Sequence, residues 1–322
     1  MGKLPEKVPG KSPVVAKPLS TAAAPNAPKV PALITLSDED NLEQANLFIY
    51  GPPKHGKTFC AASISKHWPD KLPALKKTVL SDVLWLSADK GALDGMREQN
   101  VIVPEFNVHK LRGTEAAYKA AGLREPPNII QLMTLFVKTA TDLARAGELR
   151  AVVVDTVSAI DKALIEYYEE NPIRANSGAI DKFAMYRHIL LTHRKFRDAL
   201  ARLPVHVVFL AHAKQINEDT AKDSTIKRAG AGPGSYDIQP DITGQGAGEY
   251  YRNISLEAIM LATPSLREKG KFDRHLYTQT TQGFRAGNRW QLSLAAKEEA
   301  NLTKLFEKVR AGKPAAHADD DE

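Results

Sequence analysis

Eight consecutive residues, Gly51-Pro52-Pro53-Lys54-His55-Gly56-Lys57-Thr58, carry the spacing G-x-x-x-x-G-K-[ST]. That spacing suits a loop that holds phosphate. Several backbone N–H groups must converge on one point, and a glycine-rich turn lets the backbone wrap closely enough. A helix starting behind the loop adds unpaired N–H groups and the positive end of its dipole. Lys57 can then reach the β- and γ-phosphates of ATP, and the Thr58 hydroxyl can ligate Mg²⁺. The nucleotide-contacting stretch is read as Gly51 to Phe59. The plainer alternative is a tight turn with an incidental lysine; the flanking strand and helix argue against it.

Three further residues close apolar runs. Asp155 ends AVVVD, where a carboxylate at the mouth of a buried parallel strand would hold Mg²⁺ directly or through water. Its alternative is a cap on the next helix, helped by Thr156 or Ser158. Asp89 follows the run in WLSADKGALD and could polarise an attacking water as general base; otherwise it is an exposed turn aspartate. His212 ends VHVVFLAH and would face the γ-phosphate; otherwise its ring is satisfied by local backbone.

The elements that must position these residues are legible as alternating patterns. Residues 46–50, 83–88, 151–155 and 205–211 are short apolar runs of the kind buried in a sheet, and 107–111 is a possible further short strand. Helical character is expected over 57–67, 128–146, 158–170 and 179–203. Strand and helix in alternation predict an α/β fold with a largely parallel sheet. The pattern changes after His212: residues 213–253 are polar and glycine-rich, and a loop this long is usually functional or disordered. Strands over 254–262 and 273–281, a turn at 283–287 and a helix over 294–309 close the chain.

Composition bounds the rest. The chain has 322 residues, 43% of them hydrophobic, and a formal charge of +6. That modest excess permits nucleic-acid binding without demanding it. Residues 1–31 are dominated by Pro, Ala and Lys and cannot bury enough surface to offset ordering entropy. The expected organisation is a basic disordered tail over 1–40, an ATPase domain over 41–311 and an acidic disordered tail over 312–322. A single cysteine, Cys60, leaves no internal disulfide and suits a reducing cytoplasm. No apolar run is long enough for a membrane span, and no signal or transit sequence is recognisable.

The stretches GPPKHGKT, WLSADKGALD, AVVVDTVSAI and VHVVFLAHAK, in this order, resemble the RecA/Rad51 recombinase core. More closely, they resemble the shorter RecA-like ATPases of bacteriophages that support single-strand annealing and recombination. The resemblance covers roughly residues 45–310. It implies a RecA-like P-loop NTPase fold with a central, mainly parallel β-sheet flanked by helices. It implies ATP hydrolysis with Mg²⁺, Lys57 on the phosphates, Asp89 as catalytic carboxylate and His212 as γ-phosphate sensor. Bacterial RecA carries Glu and Gln at the last two positions, so both are departures. It further implies a single-stranded DNA path along residues 168–180 and 214–252. There Lys214, Lys222, Lys227, Arg228 and Arg252 would track the backbone, with Tyr236, Tyr250 and Tyr251 stacking on bases. Rings and filaments of this kind place ATP between subunits. That makes Arg285 and Arg289 candidates for cations supplied to a neighbour's site, and a homo-oligomer the expected assembly. The alternative for both is a solvated hairpin tip. No counterpart of the large carboxy-terminal domain of bacterial RecA or of the N-terminal helical domain of Rad51-type proteins is expected from these 322 residues. Annealing is therefore the safer expectation than strand invasion, and the tails are candidate sites for a single-strand-binding or replication partner. The competing functions are another P-loop motor (a helicase, loader or packaging ATPase) and a small-molecule kinase, for which no arginine-rich lid is visible.

Overall fold

Asn46–Gly51 (β1), Val83–Ser87 (β3), Ala151–Asp155 (β6) and His206–Gln215 (β7) are the continuous apolar runs. Leu47 to Tyr50 and Ala151 to Val154 have no exposure at all, as strands covered on both faces require. The computed structural model describes residues 44–69, 77–215, 238–243, 246–252, 254–265, 269, 271–281, 283–290 and 293–312. The expected tails, apart from Gly312, and Lys222, Lys227, Arg228 and Tyr236 lie outside the described residues.

The other strands are Thr78–Val79 (β2), Val101–Ile102 (β4), Glu105–Asn107 (β5), Ile238–Pro240 (β8), Leu256–Pro264 (β9), Phe272–Tyr277 (β10), Gly287–Asn288 (β11) and Lys297–Glu299 (β12). The main sheet runs β12-β10-β9-β1-β7-β6-β3-β5. From β9 to β5 every pairing is parallel, while β10 and β12 add antiparallel strands at one side. Register sets Gly51 beside His212, Leu210 beside Asp155 and Asp155 beside Ser87. The carboxyl ends of β1, β7, β6 and β3 therefore share one edge. One strand, β7, separates the strand entering the phosphate loop from the strand ending in Asp155.

Side-chain alternation divides the core between the two faces of the sheet. Phe48, Tyr50, Leu86, Val154 and Phe209 pack with the helices Ile129–Arg145 (α5), Val157–Glu170 (α6) and Lys182–Ala201 (α7). Leu47, Ile49, Trp85, Val153 and Leu210 pack with Lys57–Ala62 (α1) and Leu302–Arg310 (α9). The helix starts have physical causes. Asn128 and Gln131 form a reciprocal capping box on α5. The side chains of Thr156, Asp181 and Asn301 accept from the third N–H of α6, α7 and α9. Asp94–Glu98 (α2), Val108–Gly113 (α3), Glu115–Ala120 (α4) and Gly246–Tyr250 (α8) are single-turn helices.

Some boundaries differ from the sequence reading. The helix expected over 57–67 stops at Ala62. Ser63 Oγ bonds back to the Cys60 carbonyl, and the Ser65 hydroxyl turns aside to Asp82. The strand expected over 107–111 ends at Asn107, whose side chain caps α3 by accepting from Lys110 N–H. The closing helix begins at Leu302 rather than 294, because residues 297–299 pair with β10. Within 213–253, residues 213–215 continue β7, 238–240 pair back on it, and 246–250 form α8.

Candidate nucleotide site

β1 ends at Gly51, and the chain crosses the loop 52–56 to enter α1. Gly51 has no room for a side chain, since a Cβ there would stand 2.3 Å from the Met260 carbonyl oxygen of β9. Gly56 sits at φ +95°, a left-handed conformation that glycine tolerates. His55 fastens the loop to the neighbouring strand, its Nδ1 accepting from Ala262 N–H at 3.0 Å.

Lys57 is buried, and its ammonium donates to the carbonyls of Gly51 at 2.8 Å and Pro52 at 2.9 Å. Burial pushes its pKa down to about 8, against the opposing pull of Asp155 and Asp89. The next residue turns to β6: Thr58 Oγ1 donates to Asp155 Oδ2 at 2.9 Å. Asp155 is buried, and that burial pushes its carboxyl up to about 6; the Thr58 hydroxyl opposes the shift. A hydroxyl and a carboxylate in contact fit Mg²⁺, which takes one or two protein oxygens beside phosphate and water. Among the described residues no group of three or more His, Cys, Asp or Glu is placed to hold a metal alone.

Asp89, two residues past β3, reaches the same edge. Its Oδ2 accepts from Thr156 Oγ1 at 2.8 Å and stands 2.8 Å from His212 Nε2. Burial works to raise its pKa, but the bond and charge of His212, the Thr156 bond and the Lys57 charge together hold it below the ordinary carboxylate value. With Nε2 turned to a carboxylate, His212 carries its proton on that nitrogen. His212 N–H donates to Ser158 Oγ at 2.9 Å, so the first turn of α6 fixes β7 at His212, three residues before its end. The structure thus brings Lys57, Thr58, Asp155, Asp89 and His212 to one strand edge. Sequence reasoning weighed Thr156 and Ser158 only as helix caps; Thr156 fills that role and also orients Asp89. The DTVS run could have suggested it.

The remaining candidates fall elsewhere. Tyr250 is a core residue, with no exposure, its ring stacked on Phe48 and its hydroxyl 2.8 Å from His193 Nδ1. This corrects its reading as a base-stacking side chain: α8 turns it inward. Tyr251 is half-buried edge-on against Phe48, under the Arg285 guanidinium at 4.1 Å. Arg252 and Lys214 are exposed, at 3.8 Å from Glu249 and 3.7 Å from Asp241 respectively. Arg285 is 57% exposed but bonds Glu257 in its own chain at 3.1 Å. Arg289 is exposed beside the start of β9, where its N–H donates to the Ser255 carbonyl. It therefore stands at the edge opposite its own phosphate loop. Lys54 and Pro53 are exposed on the loop, and Phe59 meets Trp68 edge-on behind it.

A parallel sheet with one strand between the phosphate loop and the Asp155 strand, and a lysine, threonine and aspartate converging there, defines a P-loop ATPase domain. A family model described as AAA domain matches residues 43–290, and the chain belongs to that family. Among curated proteins none matches the sequence. The structure is similar to a KaiC-like protein from the hyperthermophilic archaeon Pyrococcus horikoshii OT3, at 11% identity and TM-score 0.35, covering 75% of this chain and 83% of that one. It is also similar to an ATPase from the type III secretion system of pathogenic bacteria, at 8% identity and TM-score 0.36, covering 67% of this chain and 51% of that one. No described helix is long and apolar enough to cross a membrane.

Proposed function

We propose that the chain hydrolyses ATP at the β1–β7–β6–β3 edge and that single-stranded DNA regulates the reaction. Lys57 leaves the loop carbonyls for the β- and γ-phosphates. Mg²⁺ held by Thr58 and Asp155 neutralises phosphate charge when bound. Asp89 accepts a proton from the attacking water, whose oxygen bonds the γ-phosphorus as the bond to the bridging oxygen breaks, giving ADP and phosphate. His212 and Thr156 keep the carboxylate ionised, the form able to accept a proton, and both bond its Oδ2. A homo-oligomer with nucleotide between subunits, supplied with Arg289 by a neighbour, fits the exposed guanidinium. Arg285, already paired with Glu257, is the weaker candidate for that role.

The observation that carries the DNA reading is the 2.8 Å contact between His212 Nε2 and Asp89. His212 lies on β7, which runs on through Ala213 and Lys214 to Gln215; the sequence then continues into residues 216–237, which include Lys222, Lys227 and Arg228. An event on that segment reaches the carboxylate through one side chain. The recombination or annealing role of the resembling phage proteins follows from the same reading. The test is ATP turnover with and without single-stranded DNA across a salt series. DNA should raise turnover, and the effect should fade as salt rises. Turnover indifferent to DNA at low salt would remove the nucleic acid from the mechanism. A small phosphorylated product would instead favour a kinase.

A further inference from the structure

Strand β10 lies two strands away from β1, on the side opposite Asp155 and Asp89. Its residue Arg274 pairs in register with Ala262, the residue whose N–H holds His55. The Arg274 side chain lies along the phosphate loop. A Cβ on Gly56 would stand 2.6 Å from its Cδ and 2.8 Å from its Nε. Its charge contributes, after burial and Lys57, to holding the His55 pKa down. Among the described residues Arg274 has no carboxylate partner within ion-pair distance, and it is exposed. A guanidinium laid on an anion-binding loop, with no carboxylate among the described residues within ion-pair distance, is placed for a ligand.

Two residues along the same face of β10 stands Phe272, 56% exposed. Leu276, two residues the other way, is buried with Met260 in the core cluster that contains α1 residues Cys60 and Ala61. Alternation along a strand therefore puts Phe272, Arg274 and Leu276 all on the α1 side of the sheet. The spacing of Phe272 from Arg274, about 7 Å of strand, is the scale of the step from the phosphate to the base of a mononucleotide. The reacting end of the triphosphate belongs on the β6–β3 side, with Asp155 and Asp89. The nucleoside end then leaves toward β9 and β10.

We propose that β10 forms the nucleoside side of the site, with Arg274 holding the α-phosphate edge and Phe272 stacking on the base. The proposal rests on the P-loop reading. Arg274 acts on parts that ATP and ADP share, so it sets affinity rather than the chemistry at the γ-phosphorus. Base stacking on one ring face is tolerant of base identity, so Phe272 selects a nucleotide over a bare polyphosphate rather than one base over another.

The test is calorimetric binding of Mg·ATP, Mg·ADP and inorganic tripolyphosphate to the full chain. Phe272→Ala should weaken ATP and ADP by about tenfold and leave tripolyphosphate unchanged, with Phe272→Tyr restoring both nucleotides. Arg274→Gln and Arg274→Met should weaken ATP and ADP by the same factor, about tenfold or more, less so at high salt. Arg274→Lys should recover part of the loss. Full affinity in Arg274→Met would show that the side chain only buttresses the loop. Equal loss of tripolyphosphate and ATP in Phe272→Ala would show a disturbed loop rather than a lost base contact. Unchanged nucleotide affinity in Phe272→Ala would overturn the base contact, and weakened ATP with intact ADP in Arg274→Gln would overturn the α-phosphate assignment. A Lys57→Ala variant is measured in parallel. If it binds ATP as well as the unaltered chain, the P-loop reading itself fails, and the β10 proposal with it.

Discussion

Replacing Asp155 with Asn should make the nucleotide-free, Mg²⁺-free protein more stable while ending its turnover. The carboxyl has its pKa pushed up from 3.8 to about 6 by burial. Between those two values the folded protein binds more protons than the unfolded chain, so this residue's contribution is fully favourable below pH 3.8 and is lost as pH rises through 6. At neutral pH a charge is held where water cannot reach it. About two pKa units correspond to about 3 kcal/mol. An amide of the same shape still accepts the Thr58 hydroxyl and carries no charge. The stability difference between Asp155→Asn and the unaltered protein should therefore grow by up to about 3 kcal/mol between pH 4 and pH 7.5. At about 2–4 °C per kcal/mol, that is roughly 6–12 °C in midpoint. A fixed cost for the new amide N–H groups would shift the whole curve without changing its slope. The assay is urea or thermal unfolding of both proteins in a metal chelator, across that pH range. A difference that stays flat with pH would refute the argument from burial.

Asp89→Asn should keep nucleotide affinity within a few-fold and lower turnover by about 10²–10⁴-fold; a drop in affinity with turnover intact would make Asp89 structural. Lys57 has its pKa pushed down to about 8 in the free protein. Above that pH it must take up a proton to meet the phosphates, so ATP affinity should fall by up to about tenfold per pH unit beyond 8. Calorimetry in buffers of different ionisation enthalpy would show the proton uptake, and an affinity flat from pH 7 to 9.5 would exclude it. Lys227→Ala with Arg228→Ala should make the log–log salt dependence of single-strand binding shallower by about one to two units of −0.7. An unchanged slope in an anisotropy titration would move the contact elsewhere.

The central strands and their order of use were legible because parallel strands buried on both faces read as unbroken apolar runs. VVVD and VVFLAH each deliver one polar residue to the sheet edge, and the register sets His212 beside Gly51 and two residues past the partner of Asp155. Local chemistry at helix starts was less visible. Nothing in the sequence near Asn107 distinguishes a strand end from a cap, and the Ser65 bond just past α1 depends on where Asp82 falls. Tyr250 misled because it stands among basic and glycine residues, while its burial is decided by α8 packing on α7 and by a histidine 57 residues away. Arg274 was invisible for a similar reason. Its contact with Gly56 exists only because β10 pairs antiparallel with β9 in one particular register.

Phosphate release from ATP by the unaltered protein and by Lys57→Ala, with Mg²⁺ and single-stranded DNA present, tests the strand-edge site most directly. The expected result is Mg²⁺-dependent turnover in the unaltered protein and none above background in the variant, which loses the point charge on the β- and γ-phosphates. Equal rates in the two proteins would contradict it.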